Sequence, residues 1–333
     1  MDPDLKLLVG GDGLQVEIMA FHQVMINASP VFAAMLKPDQ YREGTRLAQD
    51  KQLELPLPDD DSEAMTVLCN ILHLQSRKVP TKTVTPDLLE NIAAIVDKYD
   101  FTRAIQPWPE IWFREEHIQS ELNRVDDLPV DMLPKWIHIC YHLGYSCHFG
   151  ILTSALITRM SINDFNQSSV IDNFGMLPFV IQEEINTRRQ RCADRFRRLS
   201  LDLIDSLEQG QSCKTMESSD YNERQAFDCS SVLLRNAILA LREAFGPGWR
   251  LEEAWTSSLT ELYQKMEMIS SKLTGPLRIC DHFGYRRMQP ELHHGCTKQT
   301  HFLSALKPIY ERAATGLRLE ELGNAFYREI VEV

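Results

Sequence analysis

The sequence predicts an α+β protein, in which a small N-terminal sheet with paired helices precedes an all-helical C-terminal domain. Short runs of alternating apolar and polar residues are confined to the N-terminal part of the chain. Apolar residues spaced three and four positions apart, the helical pattern, dominate the rest. The strands do not alternate regularly with helices, so a parallel βαβ repeat is not expected.

The first two strands are predicted within residues 5–20, as a hairpin. Apolar residues alternate in two runs, at Leu5, Leu7 and Val9 and then at Leu14, Val16 and Ile18. Residues 10–13 between them contain three glycines, which tolerate the positive φ angles of a tight turn. A third strand is predicted at residues 52–55 and is expected to end at Pro56.

Paired helices are predicted between and after these strands. Ser29 and Pro30 divide the apolar segment 24–36 into two helices, because serine favours the cap position and proline the first turn. Asp60, with Glu63 three residues later, is capping-box-like and predicts the start of the next helix. Thr85 and the proline after it predict the start of another.

The remainder of the chain is predicted to be helical. Residues 113–208 form a helical extension with a long arginine-rich helix, 209–228 a polar loop, and 229–333 a C-terminal helical region. Apolar residues at helical spacing predict a further helix from Trp255 to residue 273. Residues 136–158 lack Asp, Glu, Lys and Arg, but three histidines and two glycines favour a buried helical hairpin over a membrane span.

Composition limits the functional classes. Hydrophobic residues make up 44% and charged residues 25%, as in soluble globular proteins, and the formal net charge is −12. Such an acidic chain repels phosphate backbones, so direct nucleic-acid binding is not expected. We find no secretory signal and expect the 8 cysteines to be reduced in the cytoplasm or nucleus.

No motif indicates catalysis. We find no G-x-S-x-G elbow, no phosphate-binding glycine loop and no H-E-x-x-H, so we predict neither an enzyme nor a cofactor. The carboxylates of residues 59–63 resemble a magnesium site for diphosphate chemistry. A second ligand set is missing near Asn163 and Asp164, so an acidic helix cap explains these carboxylates better.

Two further clusters are candidate sites. Zinc is usually held by four nitrogen and sulfur ligands. One candidate set is Cys280, His282, His293 and Cys296. Residues 138–148 contain a second His/Cys cluster, and ordinary packing of buried thiols is the alternative for both.

The arginine-rich helix has a functional and a structural interpretation. Arg188, Arg189 and Arg191 are candidates for a nuclear-import signal or for a patch that binds acidic partners. The alternative is a solvated helix face, since neighbouring carboxylates offer ion pairs along the helix.

Six segments carry a resemblance to a known family. They are ASPVFAAML at 28–36, YRE at 41–43, LPLPDDD at 55–61, ILH at 71–73, VP at 79–80 and IVDKYD at 95–100. In this order and spacing the chain resembles BTB/POZ domain proteins, in particular those of filamentous fungi. The resemblance covers residues 4–112 and implies a hairpin-plus-helices module followed by a helical extension.

The resemblance also implies a function. BTB modules bind proteins, by self-association, by holding a cullin-type ubiquitin-ligase scaffold, or by docking transcription regulators. In the cullin-binding members an apolar residue, any residue and then a glutamate contact the scaffold, and Tyr41 and Glu43 occupy these positions. We therefore expect a non-enzymatic adaptor, with a transcriptional co-regulator acting through protein partners as the alternative. For Glu43, the alternative is an ordinary exposed carboxylate.

Overall fold

The N-terminal alternation produces a three-stranded sheet. In the computed structural model of the protein, β1 (Leu5–Val9) pairs antiparallel with β2 (Val16–Ala20) and parallel with β3 (Leu53–Leu57). The strand order is therefore β2-β1-β3. The structure describes residues 2–11, 15–38, 40–161, 164, 168–209, 223–273 and 299–322.

Alternation gives the sheet one buried and one exposed face. The side chains of Leu5, Leu7 and Val9 are fully buried. On the other face, Lys6 donates to Glu17 at 3.2 Å and to Glu54 at 3.1 Å, which links all three strands.

Helices account for most of the other described residues. In chain order they are α1 (His22–Ala28), α2 (Pro30–Met35), α3 (Arg42–Asp50), α4 (Ser62–Leu72), α5 (Pro86–Tyr99), α6 (Trp108–Phe113), α7 (Glu116–Leu122), α8 (Met132–His142), α9 (Ser146–Arg159), α10 (Ser168–Gly175), α11 (Phe179–Glu208), α12 (Glu223–Phe245), α13 (Leu259–Lys272) and α14 (Gln299–Ala313). The described part of the chain is therefore α+β, with a small N-terminal sheet, as the sequence predicts.

The chain divides into two compact units. The first contains residues 1–153, 173–177 and 317–333. It includes the sheet, the helices α1 to α8 and, from later in the chain, Leu317, whose N–H donates to the Thr153 hydroxyl at 2.9 Å. The predicted limits of the interaction domain, residues 4–112, stay a prediction.

Within the first unit, α8 lies against α5. The ammonium group of Lys135 contacts Asp87 at 2.8 Å and Glu90 at 2.7 Å. Residues on every side of α8, including Trp136, Ile137 and Ile139, are fully buried. The two helices predicted for this segment are present as α8 and α9, and Gly144 between them has a φ of +70°. Their packing as a hairpin stays a prediction.

The second unit contains residues 154–172 and 178–316, and its described part is helical. Its longest helix is α11, with 30 residues, and α12, α13 and α14 pack against it. The long-helix prediction is confirmed, with Ile181, Ile185 and Phe196 of the expected apolar stripe fully buried. Among the described residues, no helix combines the length and hydrophobicity that crossing a bilayer requires.

Three boundaries differ from the predictions. The strand β3 continues through Pro56, because β3 lies at the sheet edge, where a proline removes no necessary hydrogen bond. The helix predicted from Trp255 begins only at Leu259, because the Ser258 hydroxyl accepts from the N–H of Glu261 at 3.2 Å and caps it. The helix α12 begins at Glu223, inside the segment predicted as a polar loop.

Candidate functional site

An apolar groove opens on the surface of the first unit beside α2. It encloses about 480 Å³ and is lined by Pro30, Val31, Ala34, Met35 and Tyr41. None of these side chains is charged. Exposed apolar side chains gathered in one concave region are typical of sites that bind other molecules.

The groove follows from the way α2 is fixed to the core. The Ser29 hydroxyl accepts from the Phe32 N–H at 3.0 Å, which caps α2, and donates to the Tyr99 carbonyl at 2.5 Å. Phe32 is fully buried, and its ring lies 4.8 Å from that of Tyr99. With this face of α2 buried, Val31 and Ala34 on the opposite face are exposed.

Tyr41 and Glu43 lie at the start of α3, and Tyr41 lines the groove. Tyr41 occupies the N-cap position, is 51% exposed, and accepts a hydrogen bond from the Thr45 hydroxyl with its backbone carbonyl. Glu43 lies in the first turn of α3, where the helix dipole favours a carboxylate. It is half-buried and makes no side-chain hydrogen bond or ion pair within the described part of the chain.

A glycine that no sequence motif marks sets the position of α3. A Cβ atom at Gly44 would lie within 3.0 Å of backbone atoms of Lys37 and Leu36. Because these are backbone atoms, they cannot rotate away as a side chain would. The start of α3, with Tyr41 and Glu43, can therefore approach the end of α2 only because residue 44 has no side chain.

The three candidate import residues lie in different environments on α11. Arg188 Nε donates a hydrogen bond to a carboxylate oxygen of Glu184 at 2.7 Å, whereas Arg191 is exposed. Arg189 is only 8% exposed, and its Nε is buried without a hydrogen-bond partner in the described structure. Burial lowers the pKa of Arg189 to about 10. The nuclear-import hypothesis stays a prediction.

The candidate zinc ligands Cys280, His282, His293 and Cys296 lie outside the described residues, so this hypothesis also stays a prediction. The cluster in residues 138–148 is described. Within the described ranges, no group of three or more histidine, cysteine, aspartate or glutamate side chains has an arrangement that could hold a metal.

Instead, one histidine of α8 forms a polar contact with α5, through a carboxylate that is largely exposed. His142 Nδ1 lies 3.0 Å from a carboxylate oxygen of Asp97, and this hydrogen bond lowers the pKa of Asp97 despite partial burial. The rings of His138 and His142 lie 4.4 Å apart. Burial lowers the pKa of His138 to about 4, so this ring is neutral at pH 7.

The carboxylates before α4 have structural partners. Asp61 caps the helix, accepting from the Ala64 N–H at 2.8 Å. Asp60 is buried and accepts from the Lys98 ammonium at 2.6 Å and the Tyr99 hydroxyl at 2.5 Å. The predicted cap at Asp60 is therefore wrong, because that carboxylate turns inward and its neighbour takes the cap position.

Tyr41 and Glu43 were anticipated through the resemblance, but the groove beside them was not. The sequence feature that could have predicted the groove is the pair Ser29 and Pro30. These residues fix where α2 begins and therefore which of its side chains face outward. Val31 and Met35, four residues apart, then share one face of α2.

Comparison with known proteins assigns no family to the chain. No protein-family model and no curated protein matches it. The groove and its neighbouring carboxylate are therefore interpreted from their own geometry and chemistry.

Proposed function

We propose that the protein is a non-enzymatic adaptor whose N-terminal part is a BTB-type protein-interaction module. The observation that carries the proposal is the apolar groove beside α2, which is lined in part by exposed Tyr41. Two residues later, Glu43 has no side-chain partner in the described part of the chain. Such modules act inside cells, so the proposal includes a location in the cytoplasm or the nucleus.

The order of elements supports the BTB-type assignment. A hairpin, short helices, a third strand and then longer paired helices succeed one another within residues 4–112. The resemblance implies a small sheet with helical hairpins in this segment. The sequence segments that carry the resemblance include α2, the start of α3 and β3, the elements around the groove.

The chemistry of the groove favours a protein partner that inserts an apolar side chain. Met35 is flexible and adapts to the shape of an inserted group, while Tyr41 offers a large, rigid apolar surface. Burying such a side chain typically stabilises a complex by about 1.5–3 kcal/mol. Glu43 follows Tyr41 by two residues and pairs with a lysine or arginine of the partner, which fixes the orientation of the partner.

We propose a cullin-type ubiquitin-ligase scaffold as this partner. The pattern of an apolar residue, any residue and a glutamate is met by Tyr41, Arg42 and Glu43. The structure supports the proposal because the tyrosine ring is exposed and the carboxylate has no partner of its own in the described chain.

The test is affinity purification of the tagged protein from its host cells, with co-purifying proteins identified by mass spectrometry. We expect a cullin scaffold with the wild type and at least a tenfold lower recovery with Glu43→Lys, since the substitution reverses a charge at the contact. The matched control is Glu63→Lys, which changes an exposed first-turn glutamate of α4, away from the groove. The control should retain the scaffold.

Three outcomes would contradict the proposal. One is equal recovery of the scaffold with all three proteins, and another is its absence from the wild-type sample. The third is recovery of transcription regulators in its place, unaffected by Glu43→Lys. That result would favour the alternative of a transcriptional co-regulator and would make Glu43 an ordinary surface carboxylate.

A further inference from the structure

We propose that a second, independent site in the protein binds a compact polyphosphate anion. The site is a cleft of about 350 Å³ between α11 and α14, both in the second unit. Four arginines and one glutamate line it. These residues are Glu184, Arg188, Arg191, Arg195 and Arg312.

Helix geometry brings the arginines together. Arg188, Arg191 and Arg195 are three and four residues apart, so they share one face of α11 and span about 10 Å along its axis. Arg312 comes from the last turn of α14, across the cleft. The arginine cluster in the sequence of α11 did not predict that Arg312 lies in the same cleft.

One of the four arginines is held in place, and the other three have no side-chain partner in the described part of the chain. Arg188 Nε donates to Glu184 at 2.7 Å, and its Nη1 donates to the Thr315 carbonyl at 2.7 Å. The three others are exposed and make no side-chain hydrogen bond or ion pair within the described ranges; they are Arg191, Arg195 and Arg312.

Concentrating like charges without a counter-charge raises the free energy of the folded protein. The glutamate in the cleft is already paired with Arg188. A bound anion therefore supplies the negative charge that the cleft lacks.

Guanidinium groups fit phosphate oxygens with two parallel hydrogen bonds each. Three unpaired guanidinium groups within one small cleft require an anion that carries several charges in a small volume. A peptide carboxylate brings one charge per side chain, whereas adjacent phosphate groups concentrate several. A nucleic acid is disfavoured by the net charge of −12, which repels a long polyanion but affects a small one far less.

The uncharged groups that line the cleft are consistent with a compact ligand. Ile309 and Ala313 of α14 form apolar parts of its wall, and the thiol of Cys192 lies 3.9 Å from the Ile309 carbonyl. These groups offer the ligand neither a negative charge nor an aromatic surface for stacking a nucleobase. The structure thus favours a polyphosphate group without a nucleoside.

The test is isothermal titration calorimetry of the full-length protein with sodium tripolyphosphate at physiological ionic strength, with sodium sulfate as a comparison. We expect one binding site per chain, and sulfate binding at least tenfold weaker because it reaches fewer arginines. Removing one charge-assisted hydrogen bond between an arginine and the anion should weaken binding about tenfold or more.

Two variants from different helices test the cleft, Arg191→Glu with Arg195→Glu in α11 and Arg312→Glu in α14. The matched control is Arg198→Glu, which reverses an exposed arginine of α11 that does not line the cleft. We expect both cleft variants to lose at least tenfold in affinity and the control to change less than threefold. Circular dichroism checks that each variant is folded.

Thermal unfolding gives a second measurement, because a ligand that binds the folded state raises the unfolding midpoint. Tripolyphosphate should raise the midpoint of the wild type and of Arg198→Glu but not of either cleft variant. The proposal is overturned by no binding to the wild type, by equal affinity for sulfate, or by an equal loss in the control.

Discussion

At the scale of single residues, the start of α4 shows which details the sequence could predict. The acidic cluster correctly indicated a helix cap, because the positive end of a helix favours carboxylates. The sequence could not show which aspartate caps. Asp60 does not cap the helix because its carboxylate accepts hydrogen bonds from Lys98 and Tyr99, which lie 38 and 39 residues later.

The same contact gives a prediction for stability. Asp60→Asn removes a buried charge that holds the Lys98 ammonium and the Tyr99 hydroxyl, and we expect it to lower the free energy of unfolding by about 2 kcal/mol. Urea denaturation measures this change. Asp59→Asn, at the exposed neighbouring residue, is the control and should change stability by less than about 0.5 kcal/mol. Equal effects of the two substitutions would contradict the assigned contact.

Gly44 shows the opposite case, because its structural role in the packing of α3 is not indicated by any local sequence pattern. Glycine in a helix usually costs stability relative to alanine, so its presence in α3 is not explained by helix propensity. The explanation is its contact with the backbone at Leu36 and Lys37. Such close approaches depend on tertiary packing, which periodicity in the sequence does not encode.

At the scale of elements, the sequence predicted most helices and strands because their apolar spacing is imposed by burial of one face. The helices α2 and α5 begin where Ser29 and Thr85 accept hydrogen bonds from the first turn. The start of α13 was missed because Ser258, inside the predicted helix, is its cap. The end of β3 was missed because it depends on the arrangement of the strands in the sheet. Pro56 stays in β3 only because no strand pairs with its outer edge in the described sheet.

The element α8 also makes stability depend on pH. His138 is buried and neutral in the folded state, with His142 and Asp97 as its titratable neighbours. Its folded pKa of about 4 lies below the ordinary value of 6.5. As pH falls below 6.5, the unfolded chain therefore gains a proton that the folded chain does not, and stability falls until pH approaches 4.

We expect this histidine to account for about 2 kcal/mol of the stability lost between pH 7 and pH 5. His138→Leu removes the titrating group while keeping the site filled. Urea midpoints at both pH values, for wild type and variant, measure the effect. The variant should lose less stability than the wild type over this interval, and an equal loss in both would contradict the burial argument.

At the scale of the whole molecule, the sequence showed the order of regions but not how the chain is divided. The first unit takes in residues 173–177 and 317–333 in addition to its N-terminal segment. Asn173, for example, donates to the Asp131 carbonyl at 2.9 Å. No change of composition along the chain indicates that these later segments belong to the first unit, because this assignment depends on tertiary contacts.

The division predicts how destabilisation spreads. Leu133→Ala, at a fully buried residue of α8, should destabilise the first unit by about 2–5 kcal/mol. Amide hydrogen exchange in β1 should then accelerate at least tenfold, because the sheet belongs to the same unit. Leu262→Ala in α13, equally buried but in the second unit, should change exchange in β1 far less. Unchanged exchange in β1 with Leu133→Ala would favour an independent domain that ends at residue 112.

The proposed function depends on whether the groove beside α2 touches the partner, and site-specific photo-crosslinking in the host cells tests this most directly. A photoreactive amino acid replaces Val31, which lines the groove and is 36% exposed, and in a control chain Met268, which is 38% exposed in the second unit. We predict that Val31 crosslinks to the cullin scaffold retained by the wild type. We also predict that Glu43→Lys abolishes this crosslink and that Met268 gives none. A scaffold crosslink that persists with Glu43→Lys, or that forms equally at Met268, would contradict the proposed function.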